Sequence, residues 1–183
     1  MQNFILFLLM FGAADAFAQK YELFRIEQND VYWTSTYSFQ GSADSLRREV
    51  VQMLKSKFYT FNVVRNEDGY NGELKHYKVD CKRFGRRYGN TPRMYWYGEW
   101  TGKFIVEVLD NHYRVTVYAL YAEKFQPAGN NNRGQRISTG RYIEAVTKKD
   151  RMTFKKGEYA NLDLMNLSLK AEFDIRNTVI PNP

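Results

Sequence analysis

Two alternating runs meet at Asp110-Asn111 and dictate a β-hairpin. Before the dipeptide, Phe104, Val106 and Val108 alternate with Lys103, Ile105 and Glu107; after it, Tyr113, Val115 and Val117 alternate with Arg114, Thr116 and Tyr118. A period of two over β-branched and aromatic residues is that of a strand. Asp and Asn both tolerate the left-handed backbone of a tight connection. The first strand is expected over Met94–Leu109 and its partner over Tyr113–Ala122. Gly98 and Gly102 within the first mark a bulge or a close backbone approach.

Val31–Phe39 alternates in the same way, with Trp33, Tyr37 and Phe39 on one side and Tyr32, Thr34, Thr36 and Ser38 on the other. Gly41-Ser42 ends it. Ser42 is a suitable N-cap, and Asp44 falls in the first turn, where the helix dipole favours an acid. Leu46, Val50, Met53, Leu54 and Phe58 then recur at helical spacing, with Arg47, Arg48, Lys55 and Lys57 off the stripe. That predicts an amphipathic helix of about four turns. Phe61–Arg65 and Leu74–Cys81 read as strands separated by the turn residues Asn66-Glu67-Asp68-Gly69. Residues 82–93 form a Gly- and Arg-rich loop and Pro127–Arg136 a second loop, while Leu162, Met165, Leu169 and Phe173 mark a closing amphipathic helix. The order is β-α-β-β-β-β-α.

The 183 residues, 44% hydrophobic and 26% charged, suit one ordinary domain with a single core. The lone Cys81 excludes an internal disulfide or a thiolate metal cluster. The expected division is a lead-in over 19–30, a domain over 31–177 (core 31–122, loop-rich insertion 123–160, closing helix 161–176) and a tail over 178–183. Ahead of it, Phe4–Phe11 is an unbroken apolar run followed by Ala16-Phe17-Ala18. This is the h-region and A-x-A site of a signal peptide, although Met1-Gln2-Asn3 brings no Lys or Arg. Residues 1–18 are expected to be removed between Ala18 and Gln19, leaving an exported, periplasmic or secreted chain. The run falls short of the about 20 apolar residues that span a bilayer, and no transmembrane span is expected in the mature chain.

The helix start Gly41, Ser42, Asp44, Leu46 and the hairpin Gly102–Val115 together resemble an uncharacterised family of exported Bacteroidota proteins, described as having a TATA-box-binding-protein-like (TBP-like) fold. The resemblance runs from Val31 to Ala122. It implies an α+β fold, a curved antiparallel sheet with both helices on one face, and it supplies no activity and no catalytic residues. The chain departs from that pattern in the basic loop 82–93 and the extended segment 123–160.

With both helices on one face, the strand phases sort into a covered and an open side. The covered phase is expected to hold Trp33, Tyr37, Phe39, Phe61, Val63, Tyr77, Val79, Trp96, Trp100, Phe104, Val106, Val108, Tyr113, Val115 and Val117. The open phase offers a candidate binding face of Tyr32, His76, Lys78, Tyr95, Tyr97, Glu99, Lys103, Arg114 and Tyr118, with Thr34, Thr36, Asp80, Glu107 and Thr116 among them. Tyrosine gives large contact area at little entropic cost and keeps a hydrogen-bonding tip. β-propensity alone also places Tyr and Thr on strands, so an ordinary solvated face is the competing reading.

Charge separates the possible partners. The chain is net +7. A polyanion-binding face needs Lys and Arg in excess, yet on the open phase Lys78, Lys103 and Arg114 are matched by Asp80, Glu99 and Glu107. The excess lies in loops, foremost Lys82, Arg83, Arg86, Arg87 and Arg93, with no acid between them. Loops of this kind serve solubility, or they contact an anionic lipid or polysaccharide. Nucleic acid is disfavoured, and a protein or glycan partner at the envelope is expected. No G-x-S-x-G, H-E-x-x-H or P-loop occurs. Cys81 falls in the covered phase, and Glu99 and Glu107 lie about 26 Å apart along one strand. No catalytic residue, metal site or cofactor is assigned. The chain reads as a non-catalytic binding or assembly module; the alternatives are a small hydrolase with a site near His76, Tyr97 and Glu99, and an anionic-surface binder acting through the basic loops.

Overall fold

The computed structural model describes residues 23–125 and 138–177; the expected signal-peptide cleavage at Ala18–Gln19, the loop Pro127–Arg136 and the expected tail lie outside them. Seven strands form one antiparallel sheet: β1 (Phe24–Glu27), β2 (Asp30–Ser38), β3 (Thr60–Arg65), β4 (Gly69–Tyr77), β5 (Glu99–Val108), β6 (His112–Phe125) and β7 (Ser138–Arg141). Their order is β1-β2-β6-β5-β4-β3, and β7 pairs with the far half of β6, beyond the end of β2. The hairpin at Asp110-Asn111 is the centre of the sheet, with Val108 opposite Tyr113 and Val106 opposite Val115. The first strand, β1, lies in what was expected to be a lead-in. Its Phe24 and Ile26 alternate with Arg25 and Glu27, and it folds back on β2 through Gln28 and Asn29, both at positive φ.

Helix α1 (Ala43–Ser56) starts as the sequence dictates, with the Ser42 hydroxyl accepting from the Ser45 amide at 3.2 Å. Its stripe of Leu46, Val50, Met53 and Leu54 is buried. The helix stops short of Phe58. The Thr60 hydroxyl donates to the carbonyls of Leu54 and Lys57, closing the C-terminus and leaving Phe58 83% exposed. On edge strand β3, Phe61 and Val63 are likewise exposed, against expectation, because the register against β4 shifts between Phe61 and Val64, with Asn62 at positive φ, and breaks the alternation. Phe39 is half-buried, just beyond the end of β2.

The expected long strand from Met94 is split. Pro92 precedes a short helix, α2 (Arg93–Tyr97), and the Gly98 amide closes it on the Met94 carbonyl at 3.0 Å. A Cβ on Gly98 would sit 2.2 Å from that oxygen, so the glycine is required by a helix end and not by a strand bulge. Helical spacing turns Tyr95 inward to 1% exposure and leaves Tyr97 at the surface and Trp96 half-buried. This corrects the open-face placement of Tyr95 and the covered placement of Trp96. A second short helix, α3 (Tyr142–Val146), comes from the insertion. Its Tyr142, Ile143 and Val146 are buried, with the Tyr142 ring 5.5 Å from Trp100 and 6.5 Å from Tyr95 and Phe24.

Helix α4 (Tyr159–Glu172) closes the covered face. The sheet holds it through the polar tips of buried aromatics. Trp33 Nε1 donates to Asn166 Oδ1 at 3.0 Å, and the Tyr37 hydroxyl donates to the Lys170 carbonyl at 3.1 Å. The Tyr113 hydroxyl donates to the Phe173 carbonyl at 2.7 Å and accepts from the Ile175 amide at 3.0 Å; Tyr77 and Ser168 share a further hydrogen bond. An aromatic ring buries area while its tip meets an otherwise orphaned group, which sets where the helix docks. The four α-helices of the described residues therefore lie on one face. The covered phase otherwise holds as expected, from Trp33 and Tyr37 to Val115 and Val117.

Candidate functional site

The uncovered face of the sheet is built from cross-strand rows. Arg114 faces Thr36 on one side and Glu107 on the other; Thr116 faces Thr34 and Ile105, which in turn faces Asn71; Tyr118 faces Lys103. Curvature of the sheet bends these rows into a trough of about 560 Å³, with Arg25 and Tyr32 at one end, Asn66, Asp68 and Asn71 at the other, and Glu107 and Arg114 between.

The side chains in the trough position one another. Arg114 donates twice to Glu107, at 2.7 and 2.6 Å. These bonds hold the Glu107 carboxyl below its ordinary range and raise the guanidinium further. The Tyr32 and Tyr118 rings stack at 5.2 Å with their planes 4° apart, and the Arg25 guanidinium lies 5.3 Å over Tyr32. Arg25 Nη1 also donates to Thr34 Oγ1 at 2.9 Å, and Thr34 Oγ1 meets Thr116 Oγ1 at 3.2 Å. Partial desolvation, with Asp30 nearby, lifts the Tyr32 phenol above the usual tyrosine range. The surface carries both signs of charge and a pre-ordered aromatic pair. Such an arrangement can hold a polar, near-neutral ligand by hydrogen bonds and ring contact.

Of the residues singled out from sequence, Tyr32, Lys103, Arg114 and Tyr118 come together on this face, and Tyr95 does not. Thr116, expected open, is only 8% exposed because its neighbours crowd over it. His76, Lys78 and Glu99 form a separate cluster where β4 and β5 end. His76 sits on a bulge at positive φ with Nδ1 2.9 Å from Glu99 Oε2, and Lys78 Nζ is 3.8 Å from Glu99 Oε1. Tyr97 instead packs against Tyr88, ring centres 5.7 Å apart.

In the basic loop, Arg86 is tied down, donating to the Ala160 carbonyl at the start of α4, and Arg83 lies 5.6 Å over Phe84. Lys82, Arg83 and Arg87 are exposed and Arg93 is half-buried. The Cys81 thiol is buried and donates to the Tyr95 carbonyl at 3.3 Å; burial, with Asp80 adding, pushes its pKa up to about 11. Among the described residues, no group of three or more His, Cys, Asp or Glu could hold a metal ion, and no helix is long and apolar enough to cross a membrane.

Sequence reasoning missed Arg25, Asn66, Asp68, Asn71 and Ile105 as trough residues. The first was recoverable from the alternation in Phe24–Glu27. Ile105 shares the β5 phase of Lys103 and Glu107 and was legible there; Asn66, Asp68 and Asn71 lie where β4 starts earlier than Leu74, a start concealed by Gly69 and Gly72. Cβ atoms there would meet the Val106 carbonyl at 1.9 Å and the Phe104 ring at 2.3 Å, so both glycines are strand residues under close packing.

Fold and face together define an α+β protein whose curved antiparallel sheet is covered, among the described residues, on one side only. Among solved structures, the chain is similar to a TBP-like protein from Parabacteroides distasonis ATCC 8503. The two share 13% identity over 84% of this chain and 97% of that one, with a TM-score of 0.44. No family model and no curated protein matches the chain.

Proposed function

We propose that the protein is an exported binding or assembly module of the cell envelope and that it engages its partner through the concave face of the sheet. The observation that carries this reading is the trough itself. It collects Tyr32, Arg114 and Glu107 from three strands, in side-chain geometries already set by hydrogen bonds, ion pairs and ring stacking. Pre-ordered side chains lower the entropy cost of binding. Balanced charge favours a glycan or a protein surface over a polyanion.

The test is capture from an envelope extract with the protein and two sets of variants. Loss of the captured partner with Tyr118→Ala and Arg114→Ala, and its retention with Arg83, Arg86 and Arg87→Ala, supports the reading. The opposite pattern, with capture collapsing as salt is raised, transfers the role to the basic loop. The His76–Glu99 hydrogen bond favours a second reading, a hydrolase in which Glu99 orients a His76 base. Turnover in a hydrolase panel that disappears in His76→Ala would establish it.

A further inference from the structure

On the covered side, α1 and the free ends of β3 and β4 bound a second groove of about 800 Å³. Arg47, Arg48 and Lys55 line it from the helix and Arg65 from β3. Asp44 is its one acid, 3.5 Å from Arg47; Arg48 donates to the Ser45 hydroxyl; Lys55 and Arg65 have no acidic partner among the described residues. Between these cations lie Val51, half-buried, and Tyr70, 8% exposed and directly across from Arg65. The groove is therefore a basic rim over an apolar floor.

We propose that this groove receives an acidic segment of a partner polypeptide that places an apolar side chain between its carboxylates. The lining selects that occupant. A flat anionic membrane meets the rim and cannot reach the Val51–Tyr70 floor. Single-stranded nucleic acid needs exposed aromatic faces for stacking, and Tyr70 presents little of its ring. A polypeptide supplies both components, with carboxylates to neutralise a cluster of like charges and a side chain to cover the floor. The groove is distinct from the sheet trough and shares no residue with it.

The test is calorimetric titration of the purified protein with a short synthetic peptide alternating Glu with Leu, beside the same peptide with Gln for Glu. The acidic peptide is expected to bind at least about tenfold more tightly, and added salt to narrow the gap. Lys55→Glu with Arg65→Glu is expected to weaken it by about tenfold at unchanged melting temperature, and the milder Lys55→Gln with Arg65→Gln by about threefold if charge reversal unfolds the chain. Arg83→Glu with Arg87→Glu is expected to leave affinity unchanged. Equal affinity for the two peptides, indifference to Lys55 and Arg65, or loss through the loop pair would overturn the proposal. So would phosphatidylglycerol vesicles that bind in dependence on Lys55 and Arg65 where the peptide does not.

Discussion

Raising the pH should unfold this protein through its buried tyrosines. Burial pushes the phenols of Tyr37, Tyr77, Tyr95, Tyr113 and Tyr142 well above the usual range. In the unfolded chain each ionises near pH about 10. A raised folded-state value means that the native state keeps protons the unfolded state releases. The stabilisation is complete below the unfolded pKa and is lost as pH climbs toward the folded one. Each retained proton costs about 1.4 kcal/mol of stability per pH unit, so the five together cost about 7 kcal/mol per unit. Against a total stability of about 5–15 kcal/mol, the fold should fail within about one to two units above pH 10. Urea denaturation followed by tryptophan fluorescence across that range measures the slope, and tyrosinate absorbance counts the phenols that titrate before unfolding. Tyr95→Phe or Tyr142→Phe should each lower the slope by about 1.4 kcal/mol per unit. A native protein whose full set of tyrosines ionises near pH about 10 without loss of structure would refute the reasoning.

Other perturbations test particular contacts. Tyr113→Phe removes one donor to the Phe173 carbonyl and one acceptor from the Ile175 amide, and should cost about 2 kcal/mol in urea denaturation. Gly69→Ala drives a Cβ to within 1.9 Å of the Val106 carbonyl, and the strand shift needed should cost about 2–3 kcal/mol by the same assay. Cys81, buried with its pKa raised to about 11, should react with a thiol reagent only after denaturation; rapid reaction in the native protein would contradict its placement.

The parts of the fold legible in the sequence were those whose own side chains carry the signal. The stripe Leu46–Leu54 required α1, and the alternations around Asp110-Asn111 and in Val31–Phe39 required β5, β6 and β2. The failures fell where local signals competed with packing. Met94–Tyr97 is aromatic and strand-like in composition, but Pro92 and Gly98 bracket it as a helical turn, which inverted Tyr95. In β6, Ala119 adopts a positive φ of 53° opposite the register shift at Thr101–Lys103, so burial passes from odd residues to Leu120 and Ala122. Gly102 marks that bulge from the facing strand, where a Cβ would meet Leu120 Cδ2 at 3.0 Å and the Tyr118 carbonyl at 3.2 Å, but nothing at Ala119 itself does. The insertion was the largest unknown, because nothing in its composition shows that Tyr142, Ile143 and Val146 fill the space above Trp100 on the helix side. For the candidate site, Tyr32, Arg114 and Tyr118 followed from phase alone. Arg25 depended on a strand hidden in the expected lead-in, and Asn71 on a strand that begins before its recognisable start.

The one-sided covering of the sheet is tested most directly by hydroxyl-radical footprinting of the native protein with mass-spectrometric readout at each tyrosine. Tyr32 and Tyr118 on the trough should be oxidised readily, and Tyr77, Tyr113 and Tyr142, each at most 1% exposed, should be protected until the protein unfolds. Equal protection of Tyr32 and Tyr118, as would follow if chain or partner lay across the strands, would contradict the account, as would oxidation of Tyr113 at their rate.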